Sequence, residues 1–281
     1  MPGGRLRSFR LGDRSELLTE LLLTGLAFTT RVPRQEDIGF DFFCSLISGT
    51  GDLLRSGPVF TVQAKSSKEP LVFEKEHEIE WITHLENPFF ICVADRPAMA
   101  MDVYSTWNVM CGPLARGQQR MSLLPGVGRD DWPGVVHKDD GSQEIRLGAP
   151  IVRVTVDDVF DNKRIEGLTA VINEWVALDR TNIVNRHAGT YWVEGPLNYK
   201  TGQSPYAEGQ RGIAFYWHPE NLAGCARNLG RAATAIHLIN RDYFRDAERE
   251  AAIRDVLRSN WGLLDESVRV FLRAQGLNFD L

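Results

Sequence analysis

Apolar stretches alternate along the chain with short polar or glycine-containing breaks. Residues 1–14 form a loose basic arm carrying Arg5, Arg7, Arg10 and Arg14 against Asp13. Ser15 then opens Glu16-Leu17-Leu18-Thr19-Glu20-Leu21-Leu22-Leu23, which closes at Gly25. A capping serine, helix formers and a terminal glycine predict a helix of about ten residues. Two strand-like runs follow, Ile38 to Ile47 and Gly57 to Lys65, around the turn-forming Ser48-Gly49-Thr50-Gly51-Asp52. The second run alternates, so the pair predicts a β-hairpin. Glu74 to Glu86 has helical spacing, with Trp81, Ile82 and Leu85 on one face, and Asn87-Pro88 stops it.

Phe89-Phe90-Ile91-Cys92-Val93-Ala94-Asp95 is continuously apolar up to its last residue, the pattern of a strand buried on both faces. Asp102 to Met110 reads as a further strand. The order helix, strand, strand, helix, strand, strand predicts an α/β sandwich around a mixed sheet. Residues 112–148 are rich in Gly, Pro and Asp and read as a long excursion with little regular structure. Ile151 to Val156 alternates as a strand, and a helical region runs from Asp157 to about His187. Short aromatic strands are expected between Thr190 and Trp217, and mostly helical structure from Pro219 onward. This divides the chain into a domain at 1–155, with its core at about 10–110, and a mixed, mostly helical C-terminal domain at 156–281.

Composition narrows the classes. With 43% hydrophobic and 25% charged residues in 281, the chain is that of a globular protein, able to bury a core without disulfides. The net charge of −5 argues against a polyanion-binding surface on all sides and leaves room for a local basic groove. Cys44, Cys92, Cys111 and Cys225 contain no CxxC pair and suit reduced thiols. The longest apolar stretch, Leu17 to Phe28, is interrupted by Glu20 and is too short to span a bilayer. It has no small-residue cleavage site, so a cytoplasmic protein without membrane association is expected.

The hairpin carries the chemistry. Residues two apart in a strand share a face, so Gln63 and Lys65 point one way while Phe60, Val62 and Ala64 point the other. With the turn centred near residues 52–53, antiparallel pairing places Asp41 opposite residue 63, 64 or 65. Pairing with Gln63 or Lys65 would gather an aspartate, an amide and a lysine on one face.

Asp37-Ile38-Gly39-Phe40-Asp41 followed by Gln63-Ala64-Lys65 resembles the active-site pattern of the PD-(D/E)XK nuclease superfamily, with its restriction-endonuclease-like fold. The likeness is closest to the Mrr-like and Holliday-junction-resolvase-like branches. It covers roughly residues 10–110, and includes the helix with Trp81 and the apolar strand ending in Asp95. The resemblance implies a Mg²⁺- or Mn²⁺-dependent endonuclease acting on nucleic acid, most often DNA. Asp41 would be the main metal ligand, Gln63 an accessory ligand and Lys65 the cation that positions water. Glu16 would be a further acid from the first helix, with Glu20 or Asp37 as alternative ligands. Gln63 stands where most members carry Glu, which leaves the site one negative charge poorer. The family context implies restriction or anti-phage defence, a defence-system partner protein, and a homodimer where both strands are cut. The same fold also occurs as a non-catalytic module that binds nucleic acid or a partner protein.

Other chemistries fit less well. His77 and His84 lie seven residues apart without the cysteines or carboxylate pair of a zinc site. Gly126-Val127-Gly128 lacks the rest of a phosphate-binding loop, and no Gly-x-Ser-x-Gly occurs. Tyr199 to Tyr206, with Arg211, mixes aromatic and basic groups in a loop that could stack bases.

Overall fold

The computed structural model describes residues 7–33, 39–48, 54–115, 117–127, 133–186, 190–192, 213–215, 232–238, 240–241, 245–264 and 266–279. The chain is a mixed α/β protein, as the order of its elements predicts. Helix α1 (Arg7–Thr24) leads into strands β1 (Ala27–Arg31), β2 (Phe42–Ser48), β3 (Arg55–Lys65) and β4 (Leu71–Phe73). Helix α2 (Glu76–His84), strands β5 (Phe89–Asp95) and β6 (Ala100–Ser105), and helix α3 (Trp107–Ala115) follow. Strands β7 (Met121–Leu124), β8 (Gly134–His137), β9 (Gln143–Arg146) and β10 (Val152–Thr155) then precede helices α4 (Val156–Val159) and α5 (Asn162–Asn185).

Six strands form one sheet in the order β1-β2-β3-β5-β6-β10. The neighbours pair antiparallel except β3 and β5, which run parallel. A parallel pair needs a crossover connection, and β4 with α2 provides it. Alternation gives this sheet two different faces. Phe42, Cys44, Leu46, Phe60, Val62, Phe90, Cys92, Met101, Val103, Val152 and Val154 face the leucines of α1 and Leu168, Ile172, Trp175 and Val176 of α5 in one continuous core. On the opposite face Trp81 of α2 meets Phe89 edge-on at 5.7 Å between centroids and stacks on Phe73 of β4 at 6.3 Å. Strand β5 is covered on both sides, which accounts for its unbroken apolar run.

Several elements depart from the sequence expectation. Helix α1 begins at Arg7 rather than after Ser15, because arginine and leucine are good helix formers and carry the helix through the serine. Ser15 is buried inside the helix at 1% exposure. Strand β1 was not expected. The run from Asp102 to Met110 breaks at Thr106, and α3 takes its second half. Within residues 112–148, β7, β8 and β9 join β4 in a second, four-stranded sheet of order β4-β7-β9-β8. Cys44, Cys92 and Cys111 are buried free thiols, and burial pushes the Cys44 thiol up to about 12.

The division expected at 155/156 falls later. Helix α5 belongs to the first core, and the compact units separate after Val184. Strands β11 (Thr190–Trp192) and β12 (Ile213–Phe215) pair as a two-stranded sheet. The second unit contains a helix α6 over 232–238, α7 (Ala247–Asn260), a 3₁₀ turn Trp261–Leu263 and α8 (Glu266–Ala274). Its core gathers Ala233, Ile253, Leu257, Trp261, Leu264, Leu272 and Leu277. Asp246 caps α7 by accepting from the N–H groups of Glu248 and Arg249, both at 3.0 Å. Tyr199 to Tyr206, Arg211 and Cys225 lie outside the described residues.

Candidate functional site

Asp41 stands immediately before β2, where the chain arrives through Gly39. Gly39 has φ +87°, and a Cβ there would come within 2.6 Å of the Trp81 ring. Glycine is therefore required twice over, for the left-handed backbone and for the close passage beside Trp81. The register pairs Phe42 with Val62, so Asp41 falls beside Gln63. This is one of the three pairings that sequence arithmetic allowed.

The contacts at Asp41 follow from its place at the start of the ladder. Its N–H donates to the Val62 carbonyl at 2.8 Å, and its carbonyl accepts from Val32 N–H at 2.8 Å. Its carboxylate Oδ2 accepts from Gln63 Nε2 and from the Ala64 N–H, each at 2.7 Å. The side chain thus takes over the backbone pairing of Ala64, and two donors fix the carboxylate orientation. The aspartate and amide predicted from sequence are in direct contact.

Lys65 shares the Gln63 side of β3, and its Nζ donates to the Pro70 carbonyl at 3.3 Å. Desolvation lowers the pKa of this ammonium below its ordinary range, and the charge of Glu69 acts in the opposite direction. Glu16 is not gathered with Gln63 and Lys65 as the sequence predicts. It forms an ion pair with Arg31, the register partner of Phe42, on the side of the sheet covered by α1, whereas Gln63 and Lys65 face the other side. Glu20, one turn further along α1, is partly buried. Asp37 lies outside the described residues. His84 has its Nδ1 2.8 Å from the Glu80 carbonyl of its own helix.

A second polar group lies on the same side of the sheet, and sequence reasoning noticed only Asp95 of it. Arg153 on β10 donates to Asp102 at 2.9 Å and to Asp95 at 2.5 Å, while Lys68 Nζ approaches Asp102 at 3.9 Å. The hydrogen bond from Arg153 holds the Asp95 carboxyl below its usual range. Asp102, a lone acid among apolar residues of β6, was the available signal. Asp179 on α5 is a third case, fully buried and accepting from Ser105 Oγ at 2.9 and 3.1 Å and from the Asn108 N–H. Burial pushes its pKa well up.

A hard divalent cation takes oxygen ligands and keeps several waters, so one or two carboxylates with neutral oxygens suffice. Asp41 and the Gln63 amide meet that minimum. Among the described residues no group of three or more His, Cys, Asp or Glu side chains converges as a metal cluster. No described helix is long and apolar enough to cross a membrane. Comparison with protein-family models, curated proteins and solved structures gives no match to this chain.

Proposed function

We propose that the first unit is a metal-dependent nuclease of the PD-(D/E)XK type, hydrolysing phosphodiester bonds of nucleic acid, with DNA as its expected substrate. The observation that carries this reading is the contact of Asp41 with Gln63 at 2.7 Å, two residues from Lys65 and so on the same sheet face. Mg²⁺ or Mn²⁺ would be held by the Asp41 carboxylate and the amide oxygen of Gln63. Such an ion, when bound, supplies a water of lowered pKa and neutralises charge on the phosphate. Asp41 is oriented for this by the Ala64 N–H. The Lys65 ammonium offsets the negative charge that develops on the phosphoryl oxygens, an effect strengthened by its partial burial.

A second reading is a nuclease-fold module that binds nucleic acid or a partner protein without cleaving. It is favoured by the two hydrogen bonds on Asp41 Oδ2, which give this side chain a structural task at the end of the ladder. The deciding experiment incubates the purified protein with supercoiled plasmid in Mg²⁺, Mn²⁺ or EDTA, beside Asp41→Ala. The nuclease reading expects metal-dependent nicking that the variant loses. The loss should exceed the roughly 10–100-fold cost of removing an outer-shell partner of a metal. Absence of cleavage in every metal, with binding retained in EDTA, would give the second reading.

A further inference from the structure

Beyond Asp41, the same face of the sheet continues toward the β1 edge as two cross-strand rows. Thr30, Phe43 and Thr61 form the nearer row, and Phe28, Ser45 and Val59 the next. Each row is about 7 Å from its neighbour, two residues along a strand. Phe43 is 40% exposed, Phe28 47% and Val59 37%, although each belongs to a regular strand. The Phe43 ring is held edge-on to buried Phe40, with centroids 4.7 Å apart at 85°. Ser45 and Ser56 share a hydrogen bond at 2.6 Å and Thr30 is exposed, so hydroxyls are interleaved with the rings.

We infer that Phe28 and Phe43 are a stacking platform for unpaired bases, so that the preferred ligand is nucleic acid with a single-stranded segment beside the Asp41–Gln63 pair. The inference takes its ligand class from the nuclease reading. Area decides against a protein occupant. Two half-exposed phenylalanines and a valine offer on the order of 200–250 Å² of apolar surface. A stable protein interface buries roughly 800 Å² per partner. Flat rings with hydroxyl neighbours match the π-faces of bases, which every unpaired base presents whatever its sequence. A duplex covers those faces by its own stacking. Phe28 and Phe43 are diagonal neighbours, about 7–8 Å apart, which leaves each ring its own base. Continuity with Gln63 and Lys65 in the adjoining rows would set the next phosphate against the proposed site.

The test is fluorescence anisotropy in EDTA with a labelled 12-nucleotide single strand and the same sequence as a duplex. The full chain should bind the single strand at least about tenfold more tightly than the duplex. Phe43→Ala and Phe28→Ala should each weaken single-strand binding by about tenfold. Phe43→Tyr should bind as the parent does. If the alanine variants lose their thermal transition, Phe43→Leu keeps the apolar bulk against Phe40 and removes the π-face, and should bind about as weakly. Equal affinity in parent and leucine variant, duplex preference, or a patch whose mutation changes only the sedimentation of the protein would each overturn the inference. Because EDTA removes cleavage from the readout, ring-dependent binding without Asp41-dependent nicking would remove the nuclease reading alone. Asp41-dependent nicking with ring-independent binding would remove the platform alone.

Discussion

The two faces of the six-stranded sheet treat a carboxylate in opposite ways. On the face covered by α1 and α5, apolar side chains from all six strands and two helices exclude water, and Asp179 of α5 is held there among hydrogen bonds. Its pKa is driven well up because desolvation outweighs the donors from Ser105 and Asn108. On the other face Asp95 moves down, since Arg153 donates to it where water still reaches. Asp41, Gln63 and Lys65 lie on this second side, with Asp102 and Arg153 further along. The difference teaches where ionic chemistry can be placed in this fold. A charge that must bind a cation or face a phosphate belongs on the side left partly open.

Breaking the closed face should have the largest effect. Phe90 is fully buried beside Phe60, with ring centroids 5.4 Å apart. Phe90→Ala should destabilise the first unit by about 3–5 kcal/mol, read as a lower midpoint in urea unfolding. An unchanged midpoint would mean that this face is not the core. On the open face, Lys65→Ala should lower plasmid nicking by about 10²–10³-fold, in the range for removing one preorganised charge-stabilising group. The same variant should leave the urea midpoint nearly in place. Since burial lowers the Lys65 pKa, the parent's nicking rate should fall on the alkaline side below the 10.5 of an ordinary lysine. Lys65→Arg should shift that limb upward, because arginine stays charged.

The smallest effect sharpens the contrast between the two faces. A folded-state pKa above the unfolded one means that the folded protein binds more protons between the two values. Stability from Asp179 is therefore complete below the unfolded carboxyl pKa and declines as pH rises toward the folded one. Asp179→Asn keeps an acceptor for Ser105 and removes this titration. The parent should lose thermal stability relative to the variant as pH increases from about 4. The gap between the two melting midpoints should widen steadily as pH rises toward neutrality. Parallel melting curves across pH would show that Asp179 does not titrate as its burial requires.

The candidate site was legible because its parts are local. Gln63 and Lys65 are two apart in an alternating strand, and Asp41 reaches them through one hairpin, so counting from the turn left a choice of three partners. The register of Phe42 with Val62 made that choice. Glu16 was placed only by its position before the strands, and local pattern carried no information about Arg31, which engages it. The requirement for glycine at 39 was visible as a motif, yet its cause, the passage against Trp81, joins residues 42 positions apart.

Sequence alone determined the alternation that gives β3 a polar and an apolar side, the double burial of β5, and the helical character of α1, α2 and α5. These follow from periodicities of two and 3.6 residues, which any short window contains. Tertiary structure decided the rest. Strand β1 has only five residues and gains its pairing from β2. The four-residue strands β7, β8 and β9 exist as a sheet with β4. Asp179 meets Ser105 across 74 positions, and Arg153 meets Asp102 across 51. Short strands and distant ion pairs have no periodic signal of their own, because their stability comes from partners that only the folded chain brings within reach.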